Sequence, residues 1–411
     1  MKESRVNVTR GKPREGIREA LYQEILGKID LSEIPDDADF QEMIRESVKS
    51  AALREGLSLR TQIQLGKSLF NSFRKLDLLQ ELIEDRGITE IMVNGPNAIF
   101  IEKRGRLERF DQVFASSQKL EDVIQQIAAG SNRMVNEFSP IVDARLEDGS
   151  RVNVVLPPVA VNGPILTIRK FPENPMMMTD LISLGAISEE AAEFLKSLVK
   201  ARYNFFISGG TGAGKTTFLN ALSGYIPDGE RIITIEDNAE LRLDSISNLV
   251  SLEARNRNTE GMGEITIRDL IRTSLRMRPD RIIVGEVRSA EAIDMLQAMN
   301  TGHDGSLSTG HANSPEDMLS RLEMMVLMGM DLPISAIRRQ IASGIDILIH
   351  LGRLRDKSRK VLEIVEIVGF QDDKIRLNPL YRYKNGELRK VGTLREIQKL
   401  EAAGLSDLCQ P

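Results

Sequence analysis

The sequence predicts an α/β chain whose main domain is built on a mostly parallel sheet. A small α+β domain and an N-terminal helical segment precede it. Three observations carry this reading. Strands and helices alternate from Asp180 onward, the pattern of a parallel sheet with helices on both faces. A glycine-rich loop ending in Lys-Thr falls between one such strand and the next helix. The 411 residues, 41% of them hydrophobic, suffice for two or three cores at about 100–200 residues per domain.

Residues 1–75 are polar, with Ile17, Ala20, Leu21, Ile25 and Ile29 at helical spacing. Met43, Val48, Ala52 and Leu57 recur less regularly, so two or three helices are expected. Pro35-Asp36-Asp37-Ala38-Asp39 reads as a loop and helix start. This segment fits a solvated appendage and a docking element equally. Residues 76–171 read as the α+β domain. Strands at 88–93 and 98–102 flank the turn Asn94-Gly95-Pro96-Asn97, and a helix covers 120–129. Strands at 142–146 and 151–156 flank Glu147-Asp148-Gly149-Ser150, a hairpin turn, and 165–171 is a further strand. Pro172-Glu173-Asn174-Pro175 opens a linker over 172–185. In 186–411, strands are expected at 203–208, 231–236, 249–253 and 281–286, with helices at 188–200, 216–223 and 267–278.

Composition narrows the function. Net charge is −5, Trp is absent and aromatics are 4%, which argues against a basic, aromatic-lined groove for nucleic acid. Apolar runs such as 345–351, broken by Asp346 and His350, fall far short of the ~20 residues that span a bilayer. The start, Met1-Lys2-Glu3-Ser4-Arg5, is charged and carries no apolar signal segment. The single cysteine, Cys409, can form neither an internal disulfide nor a multi-cysteine zinc cluster. A cytoplasmic protein is expected, reaching a membrane only through partners.

The chemistry concentrates in one domain. Phe205-Phe206-Ile207 leads into Gly209-Gly210-Thr211-Gly212-Ala213-Gly214-Lys215-Thr216-Thr217, a complete G-x-x-x-x-G-K-T phosphate-binding loop. Its glycines let backbone N–H groups converge on an anion, and the following helix adds its positive end. Lys215 would reach the β- and γ-phosphates and Thr216 would bind Mg²⁺, so the ligand is a nucleoside triphosphate. Two strand ends carry acids. Ile282-Ile283-Val284-Gly285-Glu286 closes on a carboxylate that can serve the metal side. Ile232-Ile233-Thr234-Ile235-Glu236 closes on a second, assigned to orienting the attacking water. Gly209, Glu236 and Glu286 all sit at strand carboxyl ends, where sheets of this kind bind ligands. The stretch 302–314 holds His303 and His311 among glycines, and either can donate an N–H to a γ-phosphate. His350, in an apolar run, reads as a structural histidine.

Segments 209–217, 234–240, 277–288 and 301–314 resemble the Walker A, Asp box, Walker B and His box of the secretion and pilus motor ATPase superfamily. S-P-I-V-D-A-R-L-E-D-G-S-R-V-N-V-V-L-P at 139–157 and T-G-H-D-G-S-L-S-T-G-H-A-N-S resemble its CpaF branch, the ATPases of tight-adherence and related type IV pili. The resemblance spans about residues 76–370. The tetracysteine module common in the type II secretion branch is missing, and the Walker B acid is Glu286 where Asp is usual. It implies a RecA-like P-loop domain after a PAS-like α+β domain. It also implies ATP and Mg²⁺ as ligands, a homohexameric ring and an inner-membrane platform protein as partner, with no nucleic acid. Family arginines on an adjacent domain or subunit match Arg145 and Arg151 here, with Arg133 and Arg169 weaker matches. A type IV secretion or conjugation ATPase, a nucleic-acid translocase and a non-hydrolysing nucleotide-binding scaffold are the alternatives.

Overall fold

The computed structural model describes residues 12–29, 35–103, 105–171, 175–255 and 263–405. The charged residues 1–5, Cys409 and all but Pro175 of the expected break at 172–175 lie outside them. The chain forms two compact units, Met1–Glu173 and Asn174–Pro411. Among the described residues no helix is long and apolar enough to cross a membrane.

The first unit begins with three helices, Lys12–Leu26, Asp37–Glu55 and Leu59–Arg74. Asp36 caps the second by accepting the Asp39 N–H at 2.8 Å, within the expected loop and helix start. Its buried stripe is Phe40, Ile44, Val48 and Ala51, so of the residues expected at helical spacing Val48 is fully buried, while Met43 and Leu57 pack at the margin of the same core. Gly56, left-handed at φ 65, ends the helix before Leu57 is reached. A six-stranded antiparallel sheet follows: β1 (Ile88–Asn94), β2 (Ile99–Lys103), β3 (Arg106–Arg109), β4 (Ile141–Arg145), β5 (Arg151–Val155) and β6 (Ile165–Arg169), in the order β3-β2-β1-β6-β5-β4. The helix Ser117–Gly130 shares its core through Leu120, Val123, Ile124 and Ile127. β3 was not expected, because Arg106-Leu107-Glu108-Arg109 is exposed throughout and shows no apolar alternation.

The second unit holds a nine-stranded sheet: β7 (Phe205–Gly209), β8 (Arg231–Glu236), β9 (Asn248–Glu253), β10 (Arg281–Val284), β11 (Leu307–Gly310), β12 (Ile347–Arg353), β13 (Arg359–Gln371), β14 (Lys374–Lys384) and β15 (Glu387–Lys390). The order is β15-β14-β13-β12-β7-β11-β10-β8-β9. β9, β8, β10, β11, β7 and β12 run parallel, and β13 to β15 add an antiparallel edge. Alternate residues serve opposite faces. Phe205, Ile207, Ile232 and Ile349 join one core with the helices Glu189–Lys200 and Lys215–Ser223. Phe206, Ile233, Ile235 and Leu348 join the other with Glu291–Asn300, Pro315–Gly329 and Ile334–Gly344. This is the α/β class expected, a mostly parallel sheet covered on both faces.

Two expectations change. Within the expected linker, Met178–Ser183 is helical, and Met178 and Leu181 are buried in the second unit's core, so apolar burial draws this stretch into that unit. β11 crosses the middle of the sheet at Leu307-Ser308-Thr309-Gly310, which read only as a glycine-rich stretch. Its small residues suit a crowded place: a Cβ on Gly310 would stand 3.0 Å from both Phe206 and Met318.

Candidate nucleotide site

The site assembles at the carboxyl edge of the parallel strands. β7 ends on Gly209, where a Cβ would lie 2.6 Å from the Leu351 carbonyl oxygen of β12, so only glycine lets these strands pair. The chain then curls through Gly212 and Gly214, at φ 72 and 93, a region that strains L side chains. Gly214 caps the helix Lys215–Ser223. Gly210, Thr211 and Gly212 are exposed, Ala213 and Lys215 are buried, and Thr216 and Thr217 are half-buried in the first helical turn. That turn carries N–H groups with no partner inside the helix.

Lys215 is 8% exposed, and its Nζ lies 3.3 Å from His311 Nδ1 and 3.5 Å from the Gly210 carbonyl oxygen. Burial pulls the ammonium below its ordinary range, with Glu286 opposing. His311 follows β11 directly, and burial lowers its imidazole too, again against Glu286. A neutral ring can accept from Lys215. Glu286, two residues past β10, is 17% exposed and lies 2.7 Å from His311 Nε2. Despite this approach, the buried Glu286 Oε1 accepts no hydrogen bond. Glu286 Oε2 accepts from Arg288 at 2.5 and 2.8 Å, and Arg288 also pairs with Asp237 at 3.5 Å. Lys215, His311, Glu286 and Arg288 therefore form one linked group.

Glu236 closes β8 and is 4% exposed. It accepts the backbone N–H groups of Glu240 at 3.1 Å and Leu241 at 3.2 Å. Burial outweighs these donors and pushes its carboxyl up to about 7. A Cβ on Gly285 would stand 2.8 Å from Glu236 Cγ, so the missing side chain at 285 makes room for this acid. Thr309 of β11 holds the segment that follows β10: its Oγ1 donates to the Gly285 carbonyl at 2.8 Å, and its carbonyl accepts the Val287 N–H at 2.9 Å.

His303 is not brought here. It precedes β11, at the opposite edge of the sheet from His311, and its Nδ1 lies 3.3 Å from the Ala298 carbonyl oxygen. His350 is buried in β12 with its Nδ1 2.9 Å from Ser208 Oγ, a structural placement. The arginine candidates belong to the first unit. Arg145, Arg151 and Arg169 are direct partners across β4, β5 and β6, so they form a cationic row on one face. Arg133 follows the helix Ser117–Gly130, its N–H donating to the Ala128 carbonyl at 2.8 Å, and two residues earlier Ser131 Oγ donates to the Arg145 carbonyl at 2.6 Å. Arg288 escaped the sequence reading, although its position two residues after Glu286 was a usable signal.

The residues present fit a phosphate chain with a divalent cation. Glycine backbone and a buried ammonium face the helix N-terminus, and a buried carboxylate oxygen is left without a donor. Among the described residues no group of three His, Cys, Asp or Glu could hold a metal alone. A cation here would share Thr216 and Glu286 with phosphate oxygens.

The family model for the type II/IV secretion system protein matches residues 73–390. A putative conjugal transfer protein of Mycobacterium tuberculosis is 39% identical over 293 residues, covering 70% of this chain and 83% of that protein. The type IV secretion system protein PtlH of Bordetella pertussis is 34% identical over 316 residues, 70% of this chain and 93% of its own. The structure of the Legionella pneumophila ATPase DotB superposes with a TM-score of 0.51 at 23% identity, over 70% of this chain and 79% of that one, a likeness of fold. The motifs, the doubly covered parallel sheet and a family match over most of the chain agree: it belongs to the type II/IV secretion ATPase superfamily.

Proposed function

We propose that the chain is an ATP-hydrolysing motor working as a homohexameric ring on an inner-membrane platform protein, where it drives assembly or retraction of a tight-adherence or type IV pilus. The observation that carries the reading is the meeting of Lys215, His311 and Glu286 at the phosphate loop, with Glu236 buried at the adjacent strand end. Such a site binds triphosphate, carries acid–base groups and keeps one of them near neutrality.

In this reading the phosphates of ATP bind the loop 209–217, and Lys215 leaves His311 for a phosphate oxygen. Thr216 and Glu286 would hold Mg²⁺, which neutralises phosphate charge when bound. Glu236 orients water and accepts its proton, for which a carboxyl near 7 is suited. His311, released from Lys215, reports the γ-phosphate. Arg145 and Arg151, in cis or from a neighbouring copy, stabilise charge on the transferring group. The protein is expected to be cytoplasmic, held at the membrane by its partner. The pilus assignment is supported by the motifs at 139–157 and 301–314.

A second reading, a type IV secretion or conjugation ATPase, is favoured by the names of the relatives in Mycobacterium and Bordetella. A gene deletion complemented with wild type or Lys215→Ala tests both, scored for surface pili and for protein or DNA transfer. Loss of pili alone supports the first reading, and loss of transfer alone the second. Full function with Lys215→Ala would remove the motor assignment. Turnover raised by DNA would instead indicate a translocase.

A further inference from the structure

The phosphate loop has a second wall that its motif does not encode. β12 lies beside β7 with Leu351 opposite Gly209, and it runs two residues further, to Arg353. The chain turns through 354–358 and returns as β13 from Arg359. The turn is closed by the Leu354 N–H donating to the Ser358 carbonyl at 2.8 Å. Asp356 accepts from Ser358 N–H and Oγ at 2.9 and 2.7 Å. Residues 353–360 read R-L-R-D-K-S-R-K, five cations against one acid.

Arg353 and Arg359 face each other directly in the β12–β13 register. Like charges in that position repel. Among the described residues no carboxylate pairs with either, whereas the neighbouring Lys360 is engaged by the Leu184 and Gly185 carbonyls. Both arginines reach the loop. Arg359 Nε donates to the Gly212 carbonyl at 2.9 Å. Its Cδ lies 3.3 Å from where a Cβ on Gly214 would stand, and Arg353 Nη1 lies 3.9 Å from the equivalent point on Gly212. A repelling pair without a counter-charge, set against an anion-binding loop, lacks one thing, an anion.

We propose that Arg353 and Arg359 form a clamp, supplied by the same unit as the loop, that binds the phosphates of the nucleotide. The inference rests on the nucleotide reading above and extends it. Binding would draw its cations from Lys215 and this hairpin, leaving Arg145 and Arg151 to the hydrolytic step. Nucleotide capture would then not depend on the first unit's arginines.

The test is equilibrium binding of ATP, ADP and AMP to the full-length protein by titration calorimetry, with steady-state turnover alongside. Arg353→Gln and Arg359→Gln should each weaken ATP binding about tenfold, the size of a lost charge-assisted contact, and the loss should shrink at high salt. KM should rise while kcat at saturating ATP stays near wild type. Arg353→Lys and Arg359→Lys should recover part of the affinity, and they carry the test if a Gln variant melts early. Arg355→Gln, in the turn, should leave affinity unchanged. If the Arg353→Gln/Arg359→Gln double variant binds ATP normally while Lys215→Ala does not, the clamp is wrong and the nucleotide site stands. If Lys215→Ala also binds normally, the nucleotide reading itself fails. Loss of binding to phosphatidylglycerol vesicles with ATP affinity intact, or an equal effect of Arg355→Gln, would also overturn the clamp.

Discussion

At Glu236 desolvation competes with two backbone N–H donors and wins, so the carboxyl ionises near 7. If it is the base, turnover in wild type rises with pH through about 7, and Glu236→Gln flattens that rise while lowering kcat by ~10²–10⁴. A pH–rate profile of both proteins checks this. Stability runs the other way. A carboxyl whose folded pKa is raised from 4.5 to about 7 contributes most below 4.5 and loses its contribution as pH climbs through 7. Glu236→Gln should therefore melt above wild type at pH 8, with the gap closing by pH 5, as thermal denaturation would show. Lys215 and Thr216 were legible because the motif fixes their neighbours in sequence. Arg288 and the Lys215–His311 contact were not, because they depend on which strand ends lie side by side.

Among the elements, strand order decides most. Phe206 sits fully buried between β11 and the helix Pro315–Gly329, against Gly310 and Met318. Phe206→Ala should cost about 3–5 kcal/mol in urea denaturation, since the close-packed sheet cannot collapse into the void. Gly285→Ala tests another close approach. Its methyl would meet Glu236 Cγ, so turnover should fall sharply while ATP affinity, measured by calorimetry, stays near wild type. Unchanged turnover would mean that Glu236 can move without consequence. At the opposite edge of the sheet, buried Arg281 pairs with Glu230 at 2.7 and 2.9 Å and contacts Gly305. Periodicity located β7, β8 and β10, whose centres are the apolar runs Phe205-Phe206-Ile207, Ile232-Ile233 and Ile282-Ile283-Val284. It missed β11, where crowding selects Ser, Thr and Gly, and of the second helix's buried stripe it caught Val48 but not Phe40, Ile44 or Ala51.

For the whole molecule, the division into two units sets the question of how they cooperate. Arg145, Arg151 and Arg169 are register partners across three strands of the first unit. In the proposed motor, Arg145→Ala and Arg151→Ala should lower kcat by ~10²–10³ with ATP affinity little changed. That pattern is the opposite of the one expected for the β12–β13 hairpin. Paired binding and turnover measurements on the two sets of variants separate the roles. Light scattering with and without ATP should give a hexamer mass if each site is completed by a neighbouring copy.

Sequence alone determined the α/β class, the phosphate loop, the two acidic strand ends and the family, because each rests on local spacing or on a motif read along one segment. The tertiary structure decided which of those segments meet. Parallel pairing of β7, β8, β10 and β11 brought Lys215, Glu286 and His311 to one edge and left His303 at the other. The extension of β12 past the end of β7 put Arg353 and Arg359 against the loop. Contacts between residues a hundred positions apart follow from strand order, which no local pattern in the chain encodes.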